Sequence, residues 1–135
     1  MDQQKYINYM NSFFGFNRHN GLKLVEIDEG RSVVEVKLTR ESMNPQGSAH
    51  GGLMFSLADM AAGCACISHG RMAVTLSGSV NYLRPGLGSL LRAEAVEQHY
   101  GSKTAVYRVT VRDDQGRTVA DHSFTYFLLD KTIDL

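Results

Sequence analysis

GLMFSLADMAAGCACIS, Gly52 to Ser68, is the stretch on which the fold turns. Leu, Met, Phe, Ala and Cys dominate it, and Asp59 near its middle is its single charged side chain. A helix apolar nearly all round has to be covered on most sides. The flanking sequence supplies the cover. Upstream, Leu22 to Asp28 alternates as LKLVEID and Ser32 to Leu38 as SVVEVKL, with Glu29-Gly30-Arg31 as a hairpin turn between them. A loop from Thr39 to about Gly51 follows, containing Pro45, Gly47 and the pair Gly51-Gly52. Downstream, four strands are expected at Met72 to Leu83, Ser89 to Gln98, Thr104 to Asp113 and Arg117 to Leu128. Turn signals separate them at Arg84-Pro85-Gly86, Gly101-Ser102 and Asp113-Asp114-Gln115-Gly116. Tyr6, Tyr9, Met10, Phe13 and Phe14 fall at helical spacing within residues 2 to 14, with Gly15 as a stop. Two strands, one central helix and four strands predict an α+β domain: a curved antiparallel six-stranded sheet around one long helix, with a second helix at the N-terminus.

Composition excludes several classes of function. At 135 residues the chain is read as one domain, 1-135, able to bury a core without disulfides or metals. Lys plus Arg and Asp plus Glu both number 14, so the formal charge is zero and no basic block invites nucleic acid or an anionic membrane. The uncharged stretches beside Asp59 are too short and too rich in small residues to span a bilayer. MDQQKYINYM lacks a basic start followed by an apolar run, so no signal peptide is expected and the reading is cytoplasmic. Cys64 and Cys66 lie two apart in the apolar helix, fit neither a bridge nor a zinc cluster, and read as buried small hydrophobes. His19, His69, His99 and His122 are scattered and fit no metal-ligand spacing, so no metal is assigned.

Asp59 is the first candidate for chemistry. A carboxylate buried without partners costs several kcal/mol, and its neighbours at helical spacing, Phe55, Ala58, Ala62 and Gly63, offer neither a cation nor a donor. Either it points to water, or it pairs with a distant cation, or it is a functional acid. Burial would suit it to a general base or a carboxylate nucleophile. Gly51-Gly52 opens the same helix. The first N–H groups of a helix lack intrahelical acceptors and sit at the positive end of its dipole, and glycine allows close approach to them. Such a place can hold an oxyanion; it can equally be a tight turn. Gly51 and Asp59 are eight residues apart, about 12 Å along a helix axis, beyond comfortable reach of one ligand atom. Two antiparallel helices across a two-fold axis would bring the start of one to the middle of the other, so a site using both features needs a dimer. On AVTLSGSVNYL, Ala73 to Leu83, strict alternation places Thr75, Ser77, Ser79 and Asn81 on one face and Val74, Leu76, Val80 and Tyr82 on the other. The polar row faces solvent or lines a polar cleft.

The longer run NPQGSAHGGLMFSLADMAAGCAC, Asn44 to Cys66, resembles the signature of the hotdog-fold acyl-CoA thioesterases of the phenylacetate-pathway (PaaI-like) type, within the 4-hydroxybenzoyl-CoA thioesterase superfamily. Asn44, Gly47, His50, Gly51, Gly52 and Asp59 fall on the pattern N-x-x-G-x-x-H-G-G followed by an apolar helix with an acid. The similarity continues through VNYLRPG, Val80 to Gly86, and on to Phe127. The resemblance implies hydrolysis of an acyl-CoA thioester by Asp59 as base or nucleophile, with the Gly51 N–H of the other subunit as oxyanion donor. Asn44 would bond near the thioester or the attacking water, His50 would shape the same corner, and Thr75 would orient the water. Some members carry a hydroxyl one turn after the acid, where this chain has Gly63. Gly52 and Ser77 would line the substrate cleft, and Arg84 with the Gly101-Ser102-Lys103 turn would meet the CoA phosphates. No cofactor is implied, because CoA is part of the substrate. A homodimer is required and a homotetramer, a dimer of dimers, is expected. Two other functions compete: a hotdog enoyl-thioester hydratase or dehydratase recruiting His50, and a non-catalytic acyl-CoA-binding protein. Phe13, Phe14, Met54, Phe55 and Tyr82 suit an aromatic or an aliphatic acyl pocket equally.

Overall fold

The computed structural model describes all residues from Met1 to Leu135. Helix α1 (Gln3–Ser12) starts at Asp2, whose side chain accepts from the Lys5 N–H. It lies on the first strand, where the Asn11 amide both accepts from Leu24 N–H and donates to Leu24 C=O. A short helix α2 (Phe16–His19) follows, which the sequence reading lacked; four residues are too few for a periodic signal.

Strands β1 (Lys23–Asp28) and β2 (Arg31–Lys37) form the expected hairpin, with Gly30 in the left-handed region (φ 77°) at its turn. A 3-10 turn at Arg40–Ser42 leads to the central helix α3 (Gly51–Ile67). Strands β3 (Arg71–Tyr82), β4 (Leu90–Tyr100), β5 (Thr104–Asp113) and β6 (Thr118–Thr132) complete one antiparallel sheet in the order β1-β2-β4-β5-β6-β3. β6 runs four residues past the predicted end at Leu128.

The sheet curls around α3. Leu57, Ala58, Ala61, Ala62, Cys64 and Ala65 of the helix are buried against Val34, Leu91, Ala93, Tyr107, Val109 and Phe124 of the strands. Small residues on the helix let its backbone lie close to the sheet. Two hydroxyls tie the layers: Ser32 Oγ donates to Ala61 C=O (2.6 Å), and Ser68 Oγ accepts from Gly30 N–H (2.8 Å). His69, just past the helix, does not cap it; its ring bonds Glu97 (2.8 Å) and stacks on Tyr100. No helix is long and apolar enough to cross a membrane.

Two surfaces are left uncovered. β3 is an edge strand with Val74, Leu76 and Tyr82 about half exposed or more. Beside it, Gly52, Phe55, Ser56, Asp59 and Gly63 form a strip of α3 that the sheet does not bury.

Candidate active site

Asp59 sits in the middle of that strip, partly exposed, and its partners come from two strands rather than from its own helix. Thr75 Oγ1 on β3 donates to Asp59 Oδ1 at 2.8 Å. The Tyr126 hydroxyl on β6 lies 2.5 Å from the same Oδ1 and 2.6 Å from the Asp59 carbonyl oxygen. Thr75 and Tyr126 face each other across the β3–β6 pair. Oδ2 accepts no hydrogen bond within the chain, so one carboxylate oxygen is held and the other is open. The thiol of Cys64 is fully buried; burial first, and then the Asp59 charge, push it up to about 12. Burial pushes Cys66 to about 11. Both thiols stay neutral and are no nucleophiles at ordinary pH.

Thr75 reaches the acid because β3 departs from strict alternation. Thr75 pairs with Tyr126, but Ser77 pairs with Thr125, so Leu76 is an extra residue in a bulge. The bulge reverses the phase. Thr75 shares the helix-facing side with Gly78, Val80 and Tyr82, whereas Ser77, Ser79 and Asn81 face away. The single polar row predicted from the sequence is therefore corrected, and Ser77 lies on the opposite face of the sheet from Asp59.

The start of α3 is equally specific. His50 is the N-cap: its Nδ1 accepts from Gly52 N–H at 2.8 Å, and its carbonyl accepts from Leu53 and Met54 N–H. Of the first-turn donors only the Gly51 N–H has no partner in the chain. Gly51 C=O accepts from the Tyr82 hydroxyl at 2.7 Å, and the ring packs so closely that a Cβ on Gly51 would stand 3.1 Å from it. The glycine therefore admits Tyr82 as well as any ligand.

The other predicted residues fall around these two points. Asn44 turns into its own loop: Oδ1 accepts from Gln46 and Ser48 N–H, and Nδ2 donates to Ser48 Oγ. Gly52 lines a groove of ≈ 1010 Å³ together with Phe16, His19, His50, Leu53 and Ser56. Arg84 is exposed near the start of α3, where Ala49 N–H bonds Gly86 C=O. The Gly101-Ser102-Lys103 turn lies at the other end, where Ser102 C=O accepts from Arg71 just beyond the helix C-terminus. Within one chain, then, Arg84 and Lys103 lie at opposite ends of α3. Tyr126, which contacts the acid, carries no signal in the sequence, and Tyr82, expected only as an aromatic of the acyl pocket, bonds the helix start instead. Each is one inward residue of an alternating strand, and only the strand register tells it from its neighbours.

Residues 46–120 match the family model described as "Thioesterase superfamily". Acyl-coenzyme A thioesterase PaaI of Escherichia coli (strain K12) is 41% identical over 101 residues, which span 74% of this chain and 72% of that protein. The solved structure of the E. coli PaaI protein from the phenylacetic acid degradation operon superposes with a TM-score of 0.90 at 32% identity, covering 97% of this chain and 96% of that one. The crystal structure of smu.793 from Streptococcus mutans UA159, bound to acetyl CoA, superposes with a TM-score of 0.83 at 34% identity, covering 94% of this chain and 100% of that one.

Proposed function

This chain belongs to the thioesterase superfamily, and we propose from that premise that it hydrolyses an acyl-CoA thioester to a free acid and CoA. The observation that carries the reading is one helix holding two complementary features. One is a carboxylate fixed through Oδ1 and open at Oδ2; the other is a helix start with a single unpaired N–H.

Water attacks the thioester carbonyl carbon while Asp59 Oδ2 takes its proton. The carbonyl oxygen becomes an oxyanion, which the Gly51 N–H and the positive end of α3 stabilise. The C–S bond then breaks, sulfur leaves with the bonding pair, and the proton on Asp59 passes to the thiolate. The thioester is already activated, so no metal or organic cofactor enters the scheme.

About 12 Å of helix separates Gly51 from Asp59, so both act on one carbonyl only if they belong to different chains. A homodimer follows, with the β3 edge and the open strip of α3 as its natural contact surfaces. Val96 and Phe127 are also exposed on the outer face of the sheet, apolar surface that pairing of dimers into a homotetramer would cover. In such an antiparallel pair the Lys103 turn of one chain approaches the Arg84 end of the other, which supports a CoA site shared in the same way. The role of His50 as N-cap counts against its recruitment in a hydratase.

Asp59→Asn changes charge with little change in volume, so the protein should fold and assemble as before. Turnover, read as free-thiol release on a panel of aromatic and aliphatic acyl-CoAs, should fall by ~10²-fold or more, the scale for losing a general base. Near-normal turnover by this variant would show that the carboxylate is not the catalyst.

A further inference from the structure

We propose that Tyr126 is a positioning residue for Asp59, and that position 63 is glycine so that the Tyr126 hydroxyl can reach the carboxylate. The inference rests on the reading of Asp59 as the base.

Gly63 lies one turn after Asp59 on the same open strip of α3, in ordinary helical conformation, so its backbone does not require glycine. Glycine inside a helix is unfavourable relative to alanine, and a reason is needed. Tyr126 gives one. A Cβ on Gly63 would stand 3.2 Å from the Tyr126 hydroxyl oxygen and 3.6 Å from ring carbons Cε1 and Cζ. The hydroxyl thus occupies the space that a side chain at 63 would fill.

It also makes the bonds that a hydroxyl there would make. A serine four residues after an acid on a helix can bond the acid's side chain and its backbone carbonyl. The Tyr126 oxygen lies within hydrogen-bond distance of both those atoms of Asp59, at 2.5 and 2.6 Å. The ring is 4% exposed, anchored in the sheet among core residues, and cannot swing away as a surface hydroxyl could. Burial above all, and the neighbouring Asp59 charge, hold the phenol far above its ordinary range, so it stays a donor throughout working pH.

The terminal torsion of an aspartate is broad, so an open strip alone would let the carboxylate turn. Hydroxyls from Thr75 and Tyr126, converging on Oδ1 from two strands, fix its plane and direct Oδ2 outward.

The test compares wild type, Tyr126→Phe, Gly63→Ser and the double variant in acyl-CoA hydrolysis, with Asp59→Asn as reference and melting and assembly checked for each. Tyr126→Phe removes one oxygen and should lower kcat by ~10- to 10²-fold with little change in KM, the scale for misplacing a reacting group. Gly63→Ser alone should also lose kcat, because the new side chain displaces the tyrosine hydroxyl. Combining the two should restore most of the activity: with the oxygen gone, the serine meets ring carbons at ordinary contact distance and supplies the missing hydroxyl. In the Asp59→Asn background, Tyr126→Phe should have no further effect. Wild-type kcat in Tyr126→Phe, or a double variant no better than Tyr126→Phe, would overturn the proposal. If Asp59→Asn is inactive while Tyr126→Phe is normal, only Tyr126's role fails; an active Asp59→Asn removes the underlying reading instead.

Discussion

Both ring nitrogens of His122 are buried without a partner, although the ring is only 2% exposed. It stacks on Phe124 and meets the edges of Phe55 and Tyr82. Burial pulls the imidazole down to about 4 against the opposing pull of Asp121, compared with 6.5 for an exposed histidine. Between those values the unfolded chain binds a proton that the native one does not. The contribution is complete above about pH 6.5 and is lost as pH falls toward 4. His122→Phe should remove this dependence and relieve an unsatisfied polar ring, raising stability at pH 7 by about 1 kcal/mol. Urea midpoints at pH 7 and pH 5 should fall more steeply for wild type than for the variant; parallel falls would refute the assignment. Asp59 was legible in the sequence because one charge in an apolar helix violates local consistency. The environments of His122 and Tyr126 were not: Tyr126 meets Asp59 across 67 residues, and that contact exists only once the β3–β6 register is set.

β3 shows how far a periodic pattern carries. The strand itself was read to within a residue of each end, because twelve residues of β-type sequence between Gly70 and Pro85 leave little room for error. Its faces were read wrongly, because alternation has no memory of an inserted residue, and the bulge at Leu76 changes sides midway. The start of α3 is legible only to within a residue for a similar reason: histidine is not among the preferred N-caps, so the sequence does not say which glycine of Gly51-Gly52 is the first in the helix. The same strand carries a strict packing constraint at Gly78. A Cβ there would stand 2.5 Å from Cε1 of the fully buried Phe124 and 2.9 Å from Cζ of Phe55. Gly78→Ala should therefore cost about 1 to 3 kcal/mol by overpacking, despite removing nothing. A urea transition at the wild-type midpoint would show that β3 yields more easily than the packing implies.

The single chain is a hotdog fold whose sheet covers most of α3 and leaves one strip open, with an unpaired edge strand beside it. A long edge carrying Val74 and Leu76 is a surface that natural proteins pair or cover. The proposed chemistry leads to the same place, since in that scheme neither Asp59 nor the Gly51 N–H makes a site by itself. Gly51→Pro removes the N–H at the first helical position, where proline's backbone is tolerated and Tyr82, half exposed, can shift by the few tenths of an ångström required. Gly51→Pro and Asp59→Asn should each be inactive alone while folding and assembling normally. Mixed in equal amounts under conditions where mass-tagged subunits are seen to exchange, about half the dimers become heterodimers. Each heterodimer holds one site with both lesions and one with neither, so the mixture should recover about a quarter of wild-type activity. If the acid and the N–H of one site came from the same chain, every site would keep one lesion and the mixture would stay inactive. Rescue is expected, because ~12 Å of rigid helix cannot bring its own start and middle to one carbonyl.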